Sequence, residues 1–105
     1  MSLGKARERY IPMSETMFYI LLSLREARHG YAIMQHVKDL TKGRITLGAG
    51  TVYSSLGKLE GDGLIKSVRE EERRKIYIIT PVGSEVLREE AGRIAELSKN
   101  SEGLR

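Results

Sequence analysis

The side chains of this sequence that could do chemistry are mostly hydroxyls and cations, at spacings suited to holding an anion rather than to breaking a bond. Between Gly50 and Gly61, Val52, Leu56 and Leu59 share one side of a helix at 100° per residue, and Thr51, Ser54 and Lys58 collect on the opposite side. Such a face can approach a polyanion closely, its hydroxyls bonding phosphates or base edges and Lys58 reaching a guanine edge or a phosphate. A plain solvated helix face has the same composition. Further on, Arg69, Arg73, Arg74 and Lys75 surround Glu70, Glu71 and Glu72. Either Arg73 and Arg74, with Lys75 beside them, reach a phosphate or a minor groove while the acids face away, or the cluster is a solvated tip of mixed charge. Tyr31 stands where a helix begins, so its hydroxyl would lie near a phosphate that the free N–H groups also favour. Tyr53 lies at the margin of the buried stripe, where its ring packs on the preceding helix or its hydroxyl reaches a phosphate.

Bond-making chemistry finds no support. There is no cysteine, which excludes disulfides, thiolate zinc sites and thiol nucleophiles, and His29 and His36 are the only histidines. His29 reads as a helix-end residue rather than a ligand. Glycine-rich phosphate loops, nucleophile elbows and HExxH pairs are missing. The expectation is a non-enzyme with no catalytic residue, cofactor or metal.

The elements that must position these residues follow from periodicity and capping. The chain has 105 residues and a formal charge of +4, room for one small domain with a thin core. The charge is uneven: residues 1–48 carry eight bases and four acids, residues 81–105 four bases and five acids. A basic N-terminal half suggests a polyanionic partner. Ser14 as a cap, with Met17, Ile20, Leu21 and Leu24, predicts a helix over 15–28; Ile33, Met34, Val37 and Leu40 predict a second over 31–42. The third runs over 49–62 and ends at Gly63-Leu64. Residues 65–68 and 76–79 switch to β-branched and aromatic runs, a hairpin with the charged cluster at its tip. Thr80-Pro81 opens a last helix over 81–98. Residues 1–9 are expected to be a flexible tail, 10–80 one domain, 81–99 the C-terminal helix and 100–105 frayed. No apolar run reaches the roughly 20 residues a membrane span needs, so the expected location is the cytoplasm, away from any membrane.

Three helices followed by a two-stranded hairpin is the winged helix-turn-helix layout, mainly α with a small β-hairpin. Five segments narrow it: His29-Gly30-Tyr31, Gly50-Thr51-Val52-Tyr53, Leu59-Glu60 with Gly63-Leu64-Ile65, Arg73-Arg74-Lys75-Ile76-Tyr77, and Ile79-Thr80 with Gly83. In this order and spacing they resemble the PadR family of bacterial and archaeal transcriptional regulators, over about residues 12 to 97. One departure is local: the family often carries Ser-Pro where this chain has Gly48-Ala49, and Gly57 and Gly61 further soften the same helix. The chain resembles the short branch of the family, with a single C-terminal helix.

The resemblance implies a ligand-responsive repressor that binds a palindromic operator in double-stranded DNA as a homodimer, and it allows a small-molecule effector that the sequence does not identify. Within a helix-turn-helix frame, position on the third helix, at the start of the second and on the wing assigns DNA contact to Tyr31, Thr51, Tyr53, Ser54, Lys58, Arg73, Arg74 and Lys75. The last helix has apolar residues over a wide arc, which is either core or a dimer surface. With the N-terminal end it gives Tyr10, Ile11, Met13, Met17, Phe18, Val86, Leu87, Ile94 and Leu97 as the expected interface. The alternative is a winged domain used for protein–protein assembly without DNA.

Overall fold

In a computed structural model that describes residues 1–105, the elements are α1 (Leu3–Tyr10), α2 (Glu15–Ser23), α3 (Gly30–Leu40), α4 (Ala49–Gly61), β1 (Ile65–Glu71), β2 (Arg74–Ile79) and α5 (Pro81–Asn100). The order of three central helices, hairpin and last helix is the predicted one, and each of these helices begins within a residue of its expected start. Residues 1–9 do not form a flexible tail. Ser2 accepts a hydrogen bond from Lys5 N–H, and the helix it caps buries Ala6 and Tyr10 completely or nearly so. α2 stops at Ser23, well short of residue 28, because the chain turns extended there to pair with the hairpin. Arg28 N–H donates to Tyr77 O at 3.0 Å, Tyr77 N–H to Arg28 O at 2.9 Å, and Ile79 N–H to Leu24 O at 2.8 Å. α5 runs on to Asn100, and a turn occupies residues 101–103 where fraying was expected.

The strands pair antiparallel from Ile65 opposite Ile79 to Glu71 opposite Arg74, so most of the charged cluster belongs to the ladder itself. Only Glu72 and Arg73 turn the chain, both at positive φ (49° and 65°), the geometry of a two-residue I′ hairpin loop. Val68 has no partner, since Ser67 faces Tyr77 and Arg69 faces Ile76. This bulge bends the outer half of the hairpin relative to its base.

The core lies between the helices and the base of the hairpin. Ile20, Leu21, Leu24, Ile33, Val37, Val52, Leu59, Leu64 and Val86 are fully buried. At about 25 cal/mol per Å² of apolar area, burial of this kind is the main source of stability in so small a domain. α4 ends in a Schellman motif: Leu64 N–H donates to Leu59 O at 2.9 Å and Gly63 N–H to Glu60 O at 3.1 Å. Thr80 then joins this corner to α5, its hydroxyl donating to Gly63 O at 2.6 Å and accepting from Gly83 N–H at 3.2 Å. Gly83 itself must lack a side chain, because a Cβ there would stand 2.1 Å from Leu64 O.

The buried polar groups are satisfied. Glu90, fully buried on α5, accepts from Met13 N–H at 2.9 Å and from the Arg93 guanidinium at 2.6 and 2.7 Å. It thereby pins the segment between α1 and α2 to α5. Ser23 donates to Tyr19 O and meets His36 Nδ1 at 2.8 Å, and burial holds the His36 pKa below its usual range.

Candidate nucleic-acid interface

α4 is oriented by the three side chains that the sequence places on its buried stripe. Val52, Leu56 and Leu59 are buried, while Thr51, Ser54 and Lys58 are exposed, so the predicted face is free of intramolecular cover. Its start is weakly held: Gly48 occupies the N-cap and makes no side-chain cap. Thr41 stiffens the turn before α4, donating to Val37 O at 2.9 Å and accepting from Ile45 N–H at 3.0 Å. Tyr53 is 54% exposed, yet its ring lies against the start of α3: a Cβ on Gly30 would meet Tyr53 Cε1 and Cζ at 2.9 Å. The sequence alternative of packing on the preceding helix is therefore realised, and most of the ring's outer side remains open.

At the start of α3, His29 is the N-cap, its Nδ1 accepting from Ala32 N–H at 3.1 Å. Arg74 reaches this corner from the hairpin. Its guanidinium carbon lies 5.8 Å from the centre of the exposed Tyr31 ring, within cation–π range, and its Nη1 lies 3.4 Å from His29 Nε2. Tyr31 and Arg74 are thus brought together, whereas Arg73 sits on the loop and Lys75 on the exposed start of β2. Sequence reasoning left His29 out of the candidate site; the signal available was its place immediately before Gly30 and a helix.

Lys58 behaves differently from Thr51 and Ser54. Its Nζ lies 5.3 Å from the Tyr10 ring centre, drawn toward α1 at the far end of α4. Tyr10 Oη donates to Asp62 Oδ2 at 2.6 Å and Arg9 Nη1 to Asp62 Oδ1 at 2.9 Å. The Tyr10 hydrogen bond, aided by Arg9, keeps the Asp62 carboxyl below the ordinary range, while burial and the same carboxylate push the Tyr10 phenol up.

Of the expected dimer residues, four are not available to a partner. Tyr10, Met13, Val86 and Leu87 are 4%, 9%, 0% and 6% exposed, because α1 and α2 already pack on the first half of α5 within the chain. Ile11, Met17 and Phe18 are half-buried, and Ile94 and Leu97 are exposed. Phe18 and Ala91 lie between two shallow grooves, one lined also by Leu22 and Leu87 and the other by Met13, Tyr19 and Ile94.

Residues 20–89 match the family model described as the transcriptional regulator PadR-like family. Among curated proteins, the chain is 32% identical over 87 residues to the transcriptional regulator YqjI of Escherichia coli (strain K12), covering 82% of this chain and 42% of that protein. It is 37% identical over 70 residues to a 37.1 kDa protein in transposon TN4556 of Streptomyces fradiae, covering 67% of this chain and 20% of that one. The chain therefore spans less than half the length of the curated relatives it matches. Among solved structures, a PadR family transcriptional regulator from Eggerthella lenta DSM 2243 superposes with a TM-score of 0.73 at 28% identity, over 97% of this chain and 87% of that one. A transcriptional regulator from Clostridium thermocellum gives 0.69 at 30% identity, over 82% and 86%.

Proposed function

Since the chain belongs to the PadR-like family of transcriptional regulators, we propose that it binds double-stranded DNA as a homodimer through α4 and the hairpin, which acts as the wing, and represses transcription from a palindromic operator. The observation that carries this reading is the adjacent pair of wing arginines that lack a carboxylate partner. Of the eleven arginines, seven pair with a carboxylate; Arg73 and Arg74, adjacent on the wing, are two of the four that do not. The hydroxyl face of Thr51 and Ser54 on α4 is likewise uncovered. Cations without a carboxylate partner, together with a helix face that carries no bulk, suit phosphate contacts flanking a groove.

The homodimer is supported by the second half of α5. Ile94 and Leu97 are 39% and 53% exposed on a helix whose first half is committed to the core. A twofold dimer would present two copies of α4 to half-sites about one helical turn apart, or a multiple of that. Release by a small molecule belongs to the same proposal. The chain has no Trp, so a planar effector between subunits would stack on Phe18 or a tyrosine.

Fluorescence anisotropy with duplexes from the protein's own promoter and with random duplex, across a salt series, tests the reading. Binding whose logarithm falls steeply with the logarithm of salt, and favours a palindrome, is the expected result. No binding to any duplex at low salt would leave the wing and α4 as surfaces for protein–protein assembly.

A further inference from the structure

We infer that His29 and Arg74 form a two-donor seat for a single phosphate of the DNA backbone, joining the wing to the first helix of the helix-turn-helix; the inference rests on the DNA-binding reading above. The argument starts from the cap. Ala32 N–H donates to His29 Nδ1 at 3.1 Å, so Nδ1 carries a lone pair and the proton of the neutral ring is on Nε2. Arg74 Nη1 lies 3.4 Å from that Nε2. A guanidinium has donors and no acceptor, so the two nitrogens cannot hydrogen-bond to each other. They are two donors converging from different elements with no acceptor of the protein between them.

The surroundings keep Arg74 free for this. Its cross-strand partner Glu71 is engaged by Arg69 Nε at 2.7 Å, and Arg74 itself has no carboxylate partner. The Tyr31 ring, 5.8 Å from the guanidinium carbon, supports the guanidinium through its face without consuming a donor. An oxygen about 2.9 Å from each donor, the usual hydrogen-bond length, closes a triangle on the 3.4 Å edge between them. A phosphodiester oxygen suits the seat, because it accepts several hydrogen bonds and carries the charge that Arg74 lacks a partner for. One phosphate held this way fixes the wing relative to α3, and through the Tyr53 contact relative to α4.

The test separates capping from phosphate contact. His29→Asn keeps a strong N-cap acceptor but removes the Nε2 donor. Its thermal midpoint should stay near the parent's, while its affinity for duplex DNA falls roughly 10- to 100-fold for all sequences alike, the scale of one lost hydrogen bond to a charged group. Added to Arg74→Ala, it should cost much less than it does alone, because the seat is already broken. Long-range imidazole ¹H–¹⁵N spectra of the free protein should show the Nε2–H form of His29. The seat is overturned, with DNA binding intact, if His29→Asn binds as tightly as the parent while Arg74→Ala weakens binding, or if the ring is in the Nδ1–H form. Saturable shifts of His29 with millimolar inorganic phosphate at constant ionic strength, and none with duplex, would assign the seat to a free anion and overturn the DNA contact. A parent protein that binds no duplex defeats the DNA-binding reading, and the seat falls with it.

Discussion

Tyr10 donates its hydroxyl to Asp62 across 2.6 Å, and by that bond the N-terminal helix holds the C-terminal end of α4. Arg9 doubles the attachment and Lys58 lies over the same ring. Tyr10→Phe keeps the packing and removes the bond. It should cost about 1 to 2 kcal/mol in urea unfolding, toward the lower part of the range for a hydrogen bond to a charged group because Asp62 is partly exposed. A change within 0.3 kcal/mol of zero would mean that α1 is held by packing alone.

Acid should loosen the same corner and the attachment of the α1–α2 segment to the middle of α5. The Asp62 carboxyl is held down first by the Tyr10 hydrogen bond, and the Glu90 carboxyl first by Arg93, with Met13 N–H adding to it against the opposing effect of burial. Both carboxyls titrate lower in the folded chain than in the unfolded one. Their contribution is therefore full above the ordinary carboxyl values of 3.8 and 4.5 and is lost as pH falls through the folded values. The urea midpoint should drop on going from pH 6 to pH 3, and Glu90→Gln should drop by less over the same interval. Parallel pH profiles for parent and variant would show that Glu90 has no part in the acid response.

α4 can be made firmer without disturbing its neighbours. Nothing lies within 4 Å of a Cβ built on Gly57 or Gly48. Gly57→Ala should stabilise the fold by about 1 kcal/mol through helix propensity, and Gly48→Ser by a few tenths through the missing cap. Thermal unfolding checks both, and a lower midpoint for Gly57→Ala would place that position against something other than solvent.

The two halves of α5 should answer differently to the same substitution. Ile94→Glu or Leu97→Glu, at exposed positions, should leave the fold intact and shift sedimentation from dimer to monomer at micromolar concentration. Val86→Glu buries a charge in the subunit core and should prevent folding altogether. A parent that sediments as a monomer would remove the dimer proposal.

Lys58 and Arg74 should separate base reading from phosphate contact. If Lys58 reaches a base edge, Lys58→Ala costs about 1 to 3 kcal/mol and alters sequence preference; Arg74→Ala weakens all sequences alike and flattens the salt slope by about one unit. Unchanged sequence preference together with unchanged affinity in Lys58→Ala would confine Lys58 to its contact with the Tyr10 ring.

The helices and hairpin could be read from sequence because each carries a local signal: Ser14 and Thr80 cap α2 and α5 through their hydroxyls, accepting from Met17 and Gly83 N–H. α1 has the same kind of cap in Ser2 but no period to follow it, since Leu3, Ala6 and Tyr10 are too few to establish one in a charged stretch, and only packing on α5 reveals them as one face. The same limit applies to Val86 and Ile94. Periodicity marks both as apolar but says nothing of what covers them, and one is core while the other faces solvent. At the wing, the charged run read as a loop because strand signals favour β-branched residues, yet cross-strand pairing carries the ladder out to Glu71 and Arg74. His29 was legible as a helix-end residue; its nearness to Arg74 was not, since it depends on how far the hairpin folds back.

The fit of the Tyr53 ring onto Gly30 constrains how this sequence can change over evolutionary time. A methyl group at position 30 would stand 2.9 to 3.0 Å from the Tyr53 ring and hydroxyl, so a lineage that acquires alanine there first swings the exposed end of that ring off the start of α3. A lineage that first shortens Tyr53 opens the space and can then lose the glycine freely. Volume thus couples the two positions, and relatives with a larger residue at position 30 should carry a smaller one, or a ring turned to solvent, at position 53.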